Sequence, residues 1–343
     1  MKHSPPGAPH SKKGDADRFL ATPFETKRKT RVKCHTIIQQ ECGSIRSATL
    51  VHLFEFYRFR CWFQAADEVR FPASSANTVR GAFGKLLRDT ASAETYNRLF
   101  EPHGAPRQGP SGLADRPRPF VFRSAHLNAA IVAPGDRFFF DAHVFELQHP
   151  VLPALRAAFE RIADAGLGPG RGRARLLAID TLDLNGRPSN GACSLPFSAD
   201  PTPVRALTVR FVTPTELKAG GQVRERPEFG FLLARIRDRV ATLSALYGSF
   251  GPLPVDFREI GRRASEVRLV RDCLTWESAS RKSTRTGQTH PLGGFTGTAE
   301  YEGDLAEFVP WLRVARWTGV GRQTVWGKGE VHIVAPPAVT GAN

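Results

Sequence analysis

The sequence predicts an α+β protein made of two tandem ferredoxin-like (RRM-like) domains, each with the element order β-α-β-β-α-β. Three observations predict this fold: segments of alternating hydrophobicity, apolar residues at helical spacing between them, and the same order of elements twice along the chain. A segment rich in Pro, Ser, Asn and Gly, residues 185–203, separates the two copies. We therefore predict an N-terminal domain at residues 46–185 and a C-terminal domain at residues 203–336.

The first copy begins with an apolar run from Leu50 to Phe63 that ends in regular alternation, which indicates a strand. A helix is predicted from about Asn77 to Phe100, because apolar residues such as Val79 and Phe83 recur on one stripe. The remaining elements of this copy are predicted to be strands at residues 117–122 and 137–147, a helix at 153–165 and a closing strand at 173–182.

The second copy repeats this order from a half-buried strand at Leu207–Phe211. Pro227 fits the first turn of the long helix that follows, and Gly248 can supply a left-handed residue at the end of that helix. The remaining elements of this copy are predicted to be strands at residues 267–276 and 294–301, a short helix at 305–314 and a last strand at 325–334.

The charge of the chain favours nucleic acid as a partner. It carries 38 arginines and 10 lysines against 33 acidic residues, a net charge of +15. Arginine binds phosphate through two parallel hydrogen bonds and stacks on bases, so this bias suits a nucleic-acid surface. A GC-rich genome would also raise the arginine content, but it does not explain the excess of basic over acidic residues.

Other features of the composition exclude several classes of protein. Residues 1–45 are predicted to be a basic, disordered arm, and they lack the apolar run of a secretory signal. No apolar run approaches ~20 residues, so we expect no membrane span. The five cysteines are scattered without CxxC spacing, which argues against a zinc site or a disulfide scaffold. We expect a cytoplasmic protein with no metal or cofactor.

Each copy carries a loop of glycines and basic residues just before its final strand, at residues 166–175 and 319–329. Glycines let backbone N–H groups approach a phosphate, and Trp326 offers a face for base stacking. The alternative is that each loop makes a tight turn into a strand and leaves its arginines in solvent. The basic side chains of the two loops are Arg171, Arg173, Arg175, Arg322 and Lys328.

Five segments then occur in a characteristic order: Arg80–Gly84, Arg118–Phe120, Arg210–Lys218, His290–Phe295 and Gly319–Thr324. In this order they resemble the motifs of the CRISPR endoribonucleases of the RAMP superfamily, which process precursor crRNA. The resemblance covers about residues 50–334.

The resemblance implies tandem ferredoxin-like domains, CRISPR repeat RNA as the substrate and metal-independent cleavage within the repeat. In the family's chemistry the ribose 2′-OH attacks the adjacent phosphate and leaves a 2′,3′-cyclic phosphate. That reaction needs a proton acceptor, a proton donor and positive charge on the phosphorane. The family resemblance also allows association with other CRISPR-associated subunits of an effector complex.

The candidate catalytic residues include one departure from the family. Many relatives carry a histidine directly after the Arg-Gly-Ala-Phe-Gly segment, where this chain has Lys85. Lys85 and Arg88 would form a cationic patch on one helix face, although Lys85 could equally be a plain surface lysine. His290, beside Arg285, is a second candidate, or a structural hydrogen-bonding residue. Tyr57 could orient a 2′-OH or simply pack in its strand.

Two functions remain open at this point: a repeat-specific endoribonuclease, or a non-catalytic crRNA-binding subunit, which the missing histidine favours. A general RRM-type RNA-binding protein is disfavoured because the aromatic RNP pattern is absent. The residues predicted to contact RNA are Arg80, Arg171, Arg173, Arg175, Arg281, Lys282, Arg285, Gly319, Gly321, Arg322, Gln323, Thr324, Trp326 and Lys328.

Overall fold

The computed structural model describes residues 52–102, 116–199, 201–219, 221–278, 280–282, 289–291 and 293–334, and of residues 280–282 and 289–291 the backbone alone. The predicted basic arm, residues 1–45, lies outside these ranges. None of the helices in the described ranges is long and apolar enough to cross a membrane.

The N-terminal half contains seven strands and four helices among its described residues. They are β1 (Leu53–Ala65), β2 (Val69–Arg70), α1 (Ser75–Thr90), α2 (Ala93–Leu99), β3 (Phe120–Arg123), β4 (Ile131–Val132), β5 (Arg137–Val144), α3 (Leu152–Glu160), α4 (Ile162–Ala165), β6 (Ala174–Leu182) and β7 (Cys193–Pro196).

The C-terminal half contains eight strands and three helices among its described residues. They are β8 (Ala206–Thr215), β9 (Leu217–Ala219), β10 (Gln222–Arg224), α5 (Phe229–Tyr247), α6 (Phe257–Ser265), β11 (Arg268–Glu277), β12 (Ser280–Lys282), β13 (Thr289–Pro291), β14 (Gly294–Glu302), α7 (Val309–Thr318) and β15 (Val331–Val334).

The first large sheet has the strand order β3–β5–β1–β6, and every neighbouring pair is antiparallel. Alternation along β1 places Phe59 and Phe63 in the core that α1 and α3 cover. Arg58 and Arg60 point to the opposite face, where both bind Asp141 of β5, at 2.9 and 2.7 Å. Burial alone would raise the pKa of Asp141, but the bonds from Arg60 and Arg58 hold it below its usual value.

The second large sheet has the order β11–β14–β8–β15, again with antiparallel neighbours throughout. Val209 and Phe211 of β8 share a buried core with the apolar stripe of α5, including Leu232 and Ile236. The predicted class, mixed helices and antiparallel sheets, is therefore confirmed.

The two halves share part of a core. Phe54 and Phe56, at the start of β1, lie in the same buried cluster as α5 and α7, and the Phe56 ring is 5.1 Å from the Trp317 ring. Strand β7 pairs with Leu53–Phe56. The segment at residues 185–203, predicted as a link, thus also adds a strand to the N-terminal sheet.

Two predicted helices differ from the observed ones. The single helix predicted at residues 77–100 is divided into α1 and α2. Ser92 starts α2, because its hydroxyl accepts a hydrogen bond from the Thr95 N–H at 3.2 Å. The helix predicted at residues 305–314 begins later, at Val309, with Pro310 in its first turn.

Three further predictions for the C-terminal half were wrong. Gly248 ends α5 in an extended conformation rather than a left-handed one, and Pro227 precedes the helix rather than occupying its first turn. The last strand begins at Val331, because Gly327 and Gly329 have positive φ values of 86° and 74° that break an extended run. Helix α6 was not predicted.

Candidate nucleic-acid interface

The glycine-rich loop between α7 and β15 is folded tightly against the end of β8. A Cβ atom at Gly321, where φ is +79°, would lie 2.4 Å from the Glu216 carbonyl oxygen. One at Gly329 would lie 2.0 Å from the Val320 carbonyl oxygen. These glycines are therefore required for close backbone approach.

Most of the loop's described N–H groups donate to carbonyl oxygens of the protein. Val320 donates to Gly329 at 2.9 Å, and Arg322 donates to Glu216 at 3.1 Å. Gly319 donates to the last turn of α7 and Gly329 to Pro214. These N–H groups are therefore not available to phosphate, whereas for the rest of the loop the expected backbone contact with phosphate stays a prediction.

Trp326 joins the loop to the N-terminal half. It is half-buried against the N-terminal core, and the guanidinium of Arg80 lies over its ring, 5.7 Å from the centroid. Arg80 also lies over Phe100, at 4.6 Å. A Cβ atom at Gly327 would lie 2.4 Å from the Ala76 side chain. The loop and the first helix, two motifs far apart in sequence, are thus in contact.

Lys328, which is predicted to contact RNA, is buried. It is only 4% exposed, and its ammonium donates to the Gly293 carbonyl at 2.7 Å and to Gln323 Oε1 at 2.9 Å. The carboxylate of Glu216, itself buried, lies 3.6 Å from Nζ. Burial lowers the pKa of Lys328, and Glu216 opposes that shift. Lys328 therefore stabilises the loop from its buried side, because the groups that its ammonium contacts all belong to the protein.

Arg322, in contrast, lies at the surface with its side chain 45% exposed, although it also binds Glu216, at 2.7 Å. It stands at the rim of a cavity of about 380 Å³, which we call the loop cavity. Among the described residues the lining contains six basic side chains and no Asp or Glu. These basic side chains are Arg116, Arg118, Lys218, Arg235, Arg239 and Arg322.

Three further parts of the fold bring the other five cations to the loop, which carries Arg322. Arg116 and Arg118 precede β3, Lys218 lies on β9, and α5 contributes its two arginines from successive turns. Arg118 Nε donates to the Phe100 carbonyl at 2.5 Å, beside the ring that Arg80 covers. Concentrated positive charge in a concave site raises the local concentration of phosphate groups.

The predicted catalytic residues of the first helix, Lys85 and Arg88, differ from each other in their surroundings. Lys85 is exposed on α1, one turn after Gly81, where a Cβ atom would meet no other atom within 4 Å. Arg88 donates to the Tyr96 hydroxyl at 2.5 Å and lies 3.3 Å from Glu101. Arg88 is thus turned toward α2 instead of sharing a free cationic face with Lys85. Tyr57 is half-buried against the N-terminal core and stacks on Phe59.

The first glycine loop lies elsewhere. Gly168 packs against the backbone of Arg70, where a Cβ atom would be 2.3 Å from the carbonyl oxygen. Arg173 binds Asp67 at 2.7 Å, and Arg175 donates to Gln64 at 3.2 Å. Arg171 is exposed with a φ of +49°. None of these arginines lines the loop cavity.

A second cavity, of about 250 Å³, lies on the other side of Trp326. Glu330 lines it and lies 3.7 Å from Arg123 and 3.0 Å from His332 Nε2. Burial alone would raise the pKa of Glu330, but Arg123 and His332 lower it to about 2. This ion cluster joins β3 to β15 across the two halves.

The predicted residues of the C-terminal hairpin are described only in part. The backbone of Arg281 pairs with that of His290, and the backbone of Lys282 pairs with that of Thr289, in the β12–β13 hairpin. Their side chains and all of Arg285 lie outside what the structure describes.

Two family models match the chain. Residues 54–191 match an N-terminal domain model (AF_1859_N), and residues 209–331 match the model of the CRISPR-associated endoribonuclease Cas6. The predicted resemblance to the CRISPR-associated endoribonucleases is therefore confirmed over residues 209–331. The Cas6 match includes the glycine-rich loop and four of the six cavity cations, namely Lys218, Arg235, Arg239 and Arg322, and it ends at the start of β15.

Solved Cas6 structures show the same fold at low sequence identity. A product complex of Cas6 (TTHB231) superposes with a TM-score of 0.53 at 18% identity, over 82% of this chain and 100% of that one. Thermus thermophilus Cas6 (TTHB231) gives 0.50 at 17% identity, over 82% and 98% of the two chains. A partial Cas6-RT-Cas1–Cas2 complex gives 0.53 at 12%, over 83% of this chain and 46% of that one. No curated protein sequence matches the chain.

Proposed function

We propose that this protein binds CRISPR repeat RNA and cleaves precursor crRNA within the repeat. The observation that carries this proposal is the loop cavity, in which six cations meet beside the glycine-rich loop of a Cas6-type domain. Phosphate contacts supply much of the affinity of RNA-binding proteins, so such a cavity suits the RNA backbone.

The fold that underlies this proposal is a pair of ferredoxin-like domains, at residues 46–185 and 203–336. Numbered within each half, the four main strands have the same spatial order, 2-3-1-4, with all neighbours antiparallel. That order follows from two right-handed βαβ units joined by a hairpin. It supports an internal duplication in which the glycine loops occupy equivalent positions.

For the chemistry we propose attack of a ribose 2′-OH on the adjacent phosphate, which breaks the bond to the 5′-oxygen of the next nucleotide. The products are a 2′,3′-cyclic phosphate and a 5′-OH, and the reaction requires no metal. Lys85 would stabilise the charge that develops on the phosphate, because it is an exposed cation on α1. Arg80 would act indirectly by holding the loop through Trp326. His290 is the proposed proton acceptor, and Tyr57 a residue that orients the attacking ribose.

The test is single-turnover cleavage of repeat RNA in EDTA. A CRISPR repeat oligonucleotide should be cut once, leaving a 2′,3′-cyclic phosphate end. The matched control carries a 2′-deoxyribose at the cut nucleotide, which removes the nucleophile and leaves the phosphates in place. We expect that control to bind with unchanged affinity and to remain uncut. Cleavage that requires added Mg²⁺ would contradict the mechanism.

One observation favours a second function, a non-catalytic crRNA-binding subunit of an effector complex. Neither cavity beside the loop is lined by a histidine among the described residues. Such a site can hold RNA but lacks an evident group that titrates near neutral pH. Tight binding without any cleavage in the same assay would establish this function instead.

A further inference from the structure

We propose that the loop cavity binds one phosphate group of the RNA and that Arg239 of α5 lies at the base of this site. This inference rests on the proposed function and adds a ligand group and residues that the sequence motifs do not include. Arg239 is 8% exposed and lines the cavity beneath Arg322, which stands at the rim.

Arg239 has an uncompensated charge in the described part of the chain. Its Nε donates to the Thr318 carbonyl at 2.8 Å, at the end of α7, but its buried Nη2 has no hydrogen-bond partner. Among the described residues the charge that acts on it is that of Arg123, another cation, because burial raises the pKa of Tyr247 to about 12 and leaves its hydroxyl neutral near pH 7. Burial, followed by the charge of Arg123, lowers the pKa of Arg239. An unpaired buried guanidinium is costly, and an anion in the cavity would offset that cost.

The carboxylates near the cavity do not supply that anion. Asp238 binds Arg235 at 2.8 Å and Arg237 at 3.0 Å. Glu216 binds Arg322 and Lys328 beneath the loop. Each of these two acids is therefore already paired with two cations, and neither of them lines the cavity. Among the described residues the cavity lining thus keeps a positive surplus, which an external anion can balance.

The position of Arg239 also suggests what the bound phosphate does. Thr318, which accepts the Nε bond, is the last residue of α7 and directly precedes the glycine-rich loop. A phosphate on Nη2 would therefore be held at the base of the loop, with Arg322 closing over it from the rim. The RNA backbone would enter between α5 and the segment that carries Arg116 and Arg118.

The experiment tests whether Arg239 contacts one particular RNA phosphate, by removing each group alone and then both together. Repeat RNAs that each carry a single uncharged methylphosphonate are titrated against wild type and Arg239→Met. In wild type, one or two positions should lose about tenfold or more in affinity. In Arg239→Met, the unmodified RNA should bind with a similar loss, and the same positions should show no further loss. Arg161→Met, an exposed arginine outside the cavity lining, is the matched control and should leave every position as in wild type.

A second variant guards against a folding defect in Arg239→Met. Arg116→Gln changes the opposite wall at a half-buried side chain, and it should reproduce the coupling to the same phosphate. If both variants bind RNA as wild type does, or lose affinity equally at all positions, the phosphate site is wrong.

Failure of the proposed function remains distinguishable. If wild type binds RNA without cleaving it, the coupling experiment still decides on the site. If wild type binds no RNA, inorganic phosphate is used as the probe in thermal unfolding. A rise in Tm with phosphate in wild type and Arg161→Met, but not in Arg239→Met, supports the site. An equal response of all three overturns it.

Discussion

The guanidinium of Arg80 lies over the indole ring of Trp326, 5.7 Å from its centroid, and so joins the first helix to the glycine-rich loop. The two residues are in different halves of the chain. Cation–π contacts of this kind contribute ~0.5–2 kcal/mol, the more so when water is excluded. Residues on this side of α1 therefore control the position of the loop, and their variants must be tested for binding and stability separately.

Two glycines of α1 should respond in opposite ways to alanine. At Gly81 a Cβ atom meets nothing within 4 Å, so Gly81→Ala should stabilise the protein by about 0.5–1 kcal/mol through helix propensity. At Gly84 a Cβ atom would lie 2.0 Å from the Phe100 ring, which is buried. Gly84→Ala should therefore cost about 1–3 kcal/mol. Urea unfolding of the matched pair measures both effects, and equal shifts in midpoint would contradict this packing.

Arg322 and Lys328 should separate RNA binding from stability. Lys328→Met leaves the Gly293 carbonyl and one side of Glu216 unpaired in a buried place, so it should cost about 2–4 kcal/mol of stability. Arg322→Gln should cost about 1 kcal/mol or less, since Lys328 still neutralises Glu216. It should instead weaken RNA binding and lower the salt slope by about one unit.

Denaturant titration gives the stability of both variants, and RNA affinity at several salt concentrations gives the slope. The reverse pattern, with normal stability but weak binding for Lys328→Met, would show that Lys328 leaves its buried position to meet RNA.

The strands and the long helix could be predicted because their periodicity directly reflects burial. The alternation of β1 reflects one buried face, and the apolar stripe of α5 lies in the core; the bounds of both elements agree closely with the prediction. The positions of both glycine loops followed from composition alone. The break at Ser92 required recognition of a local cap, a signal that the sequence does carry.

The cavity could not be predicted, since it depends on contacts between segments that are far apart. In the sequence Lys328 is indistinguishable from a surface cation, and only its tertiary contacts with Gly293 and Glu216 show that it is buried. The sequence does, however, carry a signal for the buried position of Arg239. It follows Ile236 by three residues and so falls on the apolar stripe of α5, where a charged residue is costly and points to a buried partner or ligand.

His143 should make stability depend on pH. Its ring is buried beside Phe56 and Trp317, and its Nδ1–H donates to the Trp317 carbonyl at 3.0 Å. Burial, with the charge of Arg123, lowers the pKa of His143 to about 3. In the unfolded chain the ring takes up a proton below about pH 6.5, whereas the native ring stays neutral. The native state therefore loses up to about 1.4 kcal/mol per pH unit as the pH falls from 6.5 toward 3.

His143→Gln retains a donor for the Trp317 carbonyl but cannot titrate. Wild type is expected to be the more stable at pH 7, and its advantage should shrink as the pH is lowered to 4. Denaturant titrations of both proteins at each pH isolate this group from the acidic residues, which titrate in both. A difference in stability that stays constant over this range would show that His143 is not kept neutral by the fold.

Lys85 is the decisive residue for the proposed chemistry. If it stabilises charge that develops on the phosphate, Lys85→Ala should slow single-turnover cleavage by about 10²-fold while changing RNA affinity much less. Lys85→His restores the family's usual residue and should cleave faster than Lys85→Ala. His290→Ala tests the proton acceptor in the same assay, and its loss should be of the order expected for a general base, ~10²–10⁴-fold.

The combination of outcomes locates the active centre. A large loss in His290→Ala with Lys85→Ala near wild type would place the chemistry at the C-terminal hairpin, away from α1. A loss of affinity in Lys85→Ala with an unchanged single-turnover rate at saturating RNA would make Lys85 an RNA-binding cation, because an interaction made equally in ground and transition states leaves the chemical step unchanged. Normal single-turnover cleavage by both variants would show that neither residue takes part.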